Sequence, residues 1–172
     1  MTELVEAPAE APAPARAVVI GVGNPFRRDD GVGPAVLDAL RGSPEVPEGV
    51  QLVDSDGEPT RTILAWDGAD IAVVIDAVHT GAAPGTVHRV DPDAVPEGGR
   101  AGGSHALGPG EAIALGRATG RIPRRVVLIG VEVTDTSMGV GLSKGVAAAV
   151  GPVAHLVLHE LGVGSTEGGD GN

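Results

Sequence analysis

Two aspartates and one histidine stand where an α/β chain would bring reactive groups together. Asp30 follows the run Ala17-Val18-Val19-Ile20-Gly21, and Asp76 ends the apolar run Ile71-Ala72-Val73-Val74-Ile75. His105 sits in Gly102-Gly103-Ser104-His105-Ala106-Leu107-Gly108, where the glycines allow an imidazole to be carried across a crevice. Two carboxylates and an imidazole form a mixed oxygen and nitrogen set, suited to a borderline divalent ion such as nickel or zinc. The same groups can orient an attacking water by acid–base chemistry. Each residue type also has a plainer use. A strand-end Asp is a common turn former, and a His in a glycine loop can be solvated or cap a helix.

The three groups meet only if particular elements hold them. Five apolar runs read as strands: Ala17 into Gly21, Val50–Asp54, Ile71–Asp76, Gly85–Val90 as a possible edge, and Arg125–Val131. Helical patterns lie between and after them. Val32, Val36, Leu37 and Leu40 mark one face, and Pro34 is tolerable in that helix's first turn. Pro59–Trp66 forms a short helix with Ile63, Leu64 and Trp66 as core contacts, and another helix spans about Pro109–Ala118. A long last helix starts at Ser143 and turns Val146, Val150, Val153, Val157 and Leu161 to the sheet, with Pro152 expected to kink or weaken it. Alternating strands and helices predict a single α/β domain with a twisted, mostly parallel five-stranded sheet and helices on both faces, phosphorylase/hydrolase-like in outline. In such a sheet ligands bind at the carboxyl ends of adjacent strands. Asp30 and Asp76 become neighbours there if the chain crosses over between the first and second strands.

Composition narrows the function. The 172 residues carry a formal charge of −11 and hold one Phe, one Trp and no Tyr. A phosphate backbone is repelled, and no aromatic platform exists for single-stranded bases, so nucleic acid is not an expected partner. Without cysteine there is no disulfide, thiolate metal site or cysteine nucleophile. No secretory signal or membrane-length apolar run is apparent, which gives a cytoplasmic protein with no stable membrane association as the expectation. Residues 1–15 and 163–172 read as a disordered lead and tail around a domain at 16–162. Gly21-x-Gly23 has Phe26 where a dinucleotide fingerprint needs Gly, so no organic cofactor is expected. His155 and His159 lie one helical turn apart, but Leu156 stands where a zinc protease helix needs Glu; they read as a solvated face.

Gly21-Val22-Gly23-Asn24, a short spacer, the acidic pair Asp29-Asp30, Gly31 and a following helix resemble the opening motif of the hydrogenase maturation endopeptidases. The resemblance runs from about Ala17 to Leu161 and implies a hydrolase, described as an aspartyl protease. Such an enzyme removes a C-terminal extension from the nickel-loaded large-subunit precursor of a nickel–iron hydrogenase. Asp30, Asp76 and His105 match that family's metal-contacting acid, strand-end Asp and loop His, although here Ser104 directly precedes His105. The nickel would be supplied by the precursor, and the enzyme would act as a monomer with a water as nucleophile. Two other readings compete. A non-catalytic nickel-sensing escort of the large subunit would use the same three residues. A peptidyl-tRNA hydrolase also begins with Gly-x-Gly-Asn-Pro, but it would want a basic surface.

Other acids and bases near these positions have open roles. Asp29 reads as a helix cap or a carboxylate supporting the site. Asp54 ends the second strand and either lines the crevice or forms a loop; His79 either reaches the site or faces solvent. Substrate choice is expected to reside in the Phe26-Arg27-Arg28 loop and the segment Asp91–Gly103.

Overall fold

The computed structural model describes residues 15–95 and 108–164. The strands are β1 (Ala17–Val22), β2 (Gln51–Ser55), β3 (Ile71–Val78), β4 (Val87–Val90) and β5 (Arg125–Glu132). The helices are α1 (Val32–Arg41), α2 (Pro59–Trp66), α3 (Pro109–Thr119) and α4 (Lys144–Glu160), with a 3₁₀ turn at Arg28–Gly31 leading into α1. Sheet order is β2-β1-β3-β5-β4. The first four of these strands are parallel, and β4 runs antiparallel to β5 at the edge. The expected crossover is present, so β1 and β3 are direct neighbours.

The pleat sorts the apolar residues of each strand onto two faces. Val19, Val73, Ile75, Val127, Ile129 and Val131 pack with α1 and α4 in one core, while Val18, Ile20, Ala72, Val74 and Leu128 pack with α2 and α3 in the other. Strands buried on both sides need no alternation of polar residues, which is why β1 and the Ile71–Ile75 stretch of β3 are apolar. On α1 the residues Val32, Val36, Leu37 and Leu40 are all buried, each worth about 1.5–3 kcal/mol of transfer free energy. Glu58 starts α2 by accepting the free N–H groups of Thr60 and Arg61 at 3.1 and 2.9 Å, and Pro59 follows it in the first turn.

Several local expectations shift. Leu64 is 63% exposed, because the inward side of α2 is taken by Pro59, Thr62, Ile63 and Trp66. Trp66 is fully buried and donates its indole N–H to the Arg121 carbonyl at 2.8 Å. Asp76 does not end its strand: β3 continues to Val78, since β5 supplies partners as far as Glu132. The edge strand begins at Val87 rather than Gly85, whose N–H instead bonds the Glu132 carbonyl at 2.8 Å in the turn before it. Helix α4 runs unbroken through Pro152. Ala148 and Pro152 share its exposed side, where water can serve the carbonyl left without a donor.

Glu160, at the end of α4, is buried and ties that helix to the sheet. It accepts from Arg89 Nε of β4 at 2.6 Å and from the Arg125 guanidinium of β5. Those two donors hold its carboxyl below the usual range despite burial.

Candidate active site

The chain leaves β1 through Gly21, Val22 and Gly23 and turns at once into the 3₁₀ turn and α1. Gly21 and Gly33 allow this by close approach: a Cβ on Gly33 would fall 2.4 Å from the Val22 carbonyl oxygen. Gly23 has φ +141°, a conformation L side chains rarely adopt. The result is that Asp30, only eight residues after β1, folds back over the strand's carboxyl end. Its Oδ2 accepts the Asn24 N–H at 2.8 Å, which fixes the turn and the carboxylate together.

Asp76 arrives from the next strand. It lies opposite Gly130 of β5 and on the same pleat side as Val74 and Leu128. Asp30 and Asp76 both line a cleft of about 550 Å³ at the carboxyl end of the sheet, as the switch between β1 and β3 requires. Burial and the negative charge of Asp30 push the Asp76 carboxyl up to about 7, against the opposing effect of the Ala77 N–H that bonds it at 2.8 Å. The rest of the lining is mainly apolar and includes Val22, Val74, Val78 and Leu128, with Gly108 to Gly110 at the start of α3. A cleft with few polar groups, one of them a carboxyl displaced from its ordinary range, has the character of a reactive site.

The neighbouring candidates separate clearly. His79 is exposed and lines the same cleft. Asp54 does not line it; that carboxylate turns outward to Arg41 Nη2 at 2.5 Å. Asp56 and Gly57, two residues further along, line the cleft in its place, with Asp56 paired to Arg61 at 2.6 Å. The Asp-Gly pair was the available signal, since a turn there carries the chain across the end of β2. His105 and Ser104 lie outside the described residues, as does the later part of the loop expected over Asp91–Ser104. The histidines of α4, His155 and His159, are exposed as expected.

Asp29 is not a cap of α1, whose preceding residue is Gly31 with no side-chain cap bond. It is fully buried and accepts from Ser143 N–H at 2.6 Å, Ser143 Oγ–H at 2.9 Å, Asp135 N–H at 3.1 Å and Thr134 N–H at 3.2 Å. Burial pushes its carboxyl up, but the donors from Ser143, Asp135 and Thr134 outweigh this and hold it below the usual range. The acidic pair is therefore divided between two tasks. Asp30 faces the cleft, and Asp29 pins the connection between β5 and α4. Asp29→Ala is expected to cost about 2–3 kcal/mol, because several buried donors lose a charged acceptor. A folded-state carboxyl held low contributes stability above its ordinary titration range, lost as pH falls. Urea midpoints of wild type and variant should therefore differ at pH 7 and converge toward acid.

Glu132 plays a similar part for the turn after β3, a use the sequence does not signal. Buried at the end of β5, it accepts from Thr80 N–H and Oγ–H, both at 2.8 Å, and from Gly81 N–H at 3.0 Å, with His88 Nε2 at 3.3 Å. These bonds hold the turn that begins at His79.

Among the described residues no helix is long and apolar enough to cross a membrane. The hydrogenase maturation protease family model matches residues 34–160. The hydrogenase expression/formation protein HupM of Azotobacter chroococcum is 32% identical over 155 residues, covering 87% of this chain and 74% of that protein. The hydrogenase 2 maturation protease of Escherichia coli is 27% identical over 148 residues, covering 85% and 90%. In three dimensions the chain is similar to the hydrogenase maturating endopeptidase HybD from E. coli, with a TM-score of 0.73, 26% identity and coverage of 85% and 91%. A mostly parallel five-stranded α/β fold, an acid-lined cleft at its switch point and these likenesses converge: the chain belongs to the hydrogenase maturation protease family and is a hydrolase of peptide bonds.

Proposed function

We propose that the protein cleaves a C-terminal extension from the large-subunit precursor of a nickel–iron hydrogenase after nickel has been inserted. On this reading the precursor's nickel is part of the substrate, gripped by Asp30 and Asp76 of the cleft lining and by His105 of the glycine-flanked sequence. The reading rests foremost on the convergence of Asp30 and Asp76, 46 residues apart, on one cleft. Oxygen donors from carboxylates and one imidazole nitrogen suit such an ion. Holding it beside the scissile peptide bond brings that bond within reach of a water, and alignment of this kind supplies much of a catalyst's advantage. The apolar lining accommodates the side chains on either side of the cut and keeps bulk water out. We assign the reaction to the cytoplasm.

The test mixes purified protein with nickel-loaded and nickel-free precursor and follows the mass of the large subunit. Shortening of the loaded form alone is expected, and its loss in Asp30→Asn and His105→Ala. Binding of loaded precursor without any change in its mass would reject proteolysis in favour of an escort. Cutting of both forms at equal rates would remove nickel from the recognition step.

A further inference from the structure

The single Phe of the chain is not in its core. Phe26 is 63% exposed, and so are Met138 at 74% and Val140 at 76%. They come from loops more than a hundred residues apart, joined by backbone bonds: Gly139 N–H donates to the Phe26 carbonyl at 2.8 Å and Arg28 N–H to the Gly139 carbonyl at 2.9 Å. The parallel bridge between Arg27 and Gly139 sets Phe26 beside Met138 and Arg28 beside Val140 in register.

This rim is built stiffly. Asp29 takes its four hydrogen bonds from Thr134, Asp135 and Ser143, at both ends of the second loop. Arg27 Nε donates to the Thr136 carbonyl at 3.2 Å, and Arg28 lies 3.6 Å from Asp135. Arg28 is held at φ +44°, a strained conformation for a residue with a side chain. With the backbone beneath these side chains already fixed, a partner has only their rotamers left to order, which lowers the cost of docking. The rim is also continuous with the cleft, since Phe26 and Thr136 line both.

We infer that Phe26, Met138 and Val140 form a docking surface for an apolar patch on the folded body of the precursor whose tail enters the cleft. A cleft of about 550 Å³ holds only a short segment, so contacts made outside it fall to other parts of the same substrate. This inference rests on the proteolytic reading above for the identity of its partner. It goes beyond the Phe26-Arg27-Arg28 loop of the sequence by adding Met138 and Val140 and by giving Asp29 the task of holding them.

The experiment measures kcat and KM on nickel-loaded precursor for wild type, for Met138→Ser/Val140→Ser, and for Leu64→Ser as an exposed apolar control outside the cleft lining. The double variant is expected to raise KM about tenfold with kcat within twofold of wild type, while Leu64→Ser changes neither. An unchanged KM in the double variant overturns the inference, as does an equal rise in the control. If wild type binds precursor without cutting it, the proteolytic reading fails by itself, and the rim is judged by calorimetric titration of the same pair. Weakened binding by the double variant then supports the rim, and equal binding overturns it. Sedimentation of the enzyme alone covers the remaining occupant. A wild-type dimer abolished by the two substitutions would assign the rim to self-association and overturn the inference.

Discussion

Asp76→Asn is expected to lose processing by about two orders of magnitude, as expected when the scissile bond loses one of the groups that position it, and at the same time to make the protein more stable above pH 7. Both effects come from the same carboxyl. A carboxyl pushed up to about 7 from an ordinary 3.8 is one that the fold disfavours as an anion. The native state binds its proton more tightly than the unfolded chain does, so wild-type stability falls as pH rises from about 4 to about 7. Converted at 1.36 kcal/mol per pH unit, the difference gives an upper bound of roughly 4 kcal/mol, and partial solvent access trims this to about 1–3. Asn keeps the acceptor for the Ala77 N–H and removes the repulsion from Asp30. Thermal unfolding should show no gain at pH 4 and a rise of several degrees at pH 8. A variant equally stable at both would refute the strained anion, and a variant with full processing would take Asp76 out of the reaction.

Gly23→Ala is expected to be the most damaging glycine-to-alanine change among the described residues. The new Cβ would lie 1.9 Å from the Asp30 backbone oxygen, and φ at this position is +141°. Neither obstacle is a flexible side chain that can swing aside, so the turn itself must open. The cost in stability is expected to be about 3–5 kcal/mol, combining backbone strain with displacement of packed atoms. Any folded fraction should carry Asp30 away from the Asn24 N–H and the cleft. Urea unfolding checks the first part, and processing per folded molecule checks the second. A midpoint near wild type would show that the turn is softer than its contacts indicate.

These results set the limits of what the chain discloses before folding. Strands β1 and β3 are legible because an apolar run closed by glycine or acid fits little besides a buried strand, and their adjacency follows from one crossover. The pairing of Asp30 with Asp76 is legible for the same reason: both follow apolar runs at the carboxyl end of parallel strands. What stays hidden depends on partners remote in sequence. Asp29 and Asp30 are the same residue type side by side, and only the arrival of Thr134, Asp135 and Ser143 gives the first a structural task. Asp54 and Asp56 are confused for a more local reason, since nothing in the run shows that Arg41 turns the first outward while the second lines the cleft. Glu132 looks like the end of an apolar strand, and Thr80, Gly81 and His88 reveal its use. Leu64 fails by rotation alone, since a two-turn helix with four inward positions has no room for a fifth.

The placement of Trp66 has a practical consequence. With no tyrosine and one tryptophan, indole fluorescence comes from a single point, sealed between α2, α3 and the sheet and bonded to the Arg121 carbonyl. Its emission gauges whether that layer has peeled away, and it contains no signal from the turn altered in Gly23→Ala, which sits against α1. Ellipticity follows α1 to α4 together. Superimposed curves from the two probes would mean that both layers leave the sheet together; a lag between them would show one layer surviving the other.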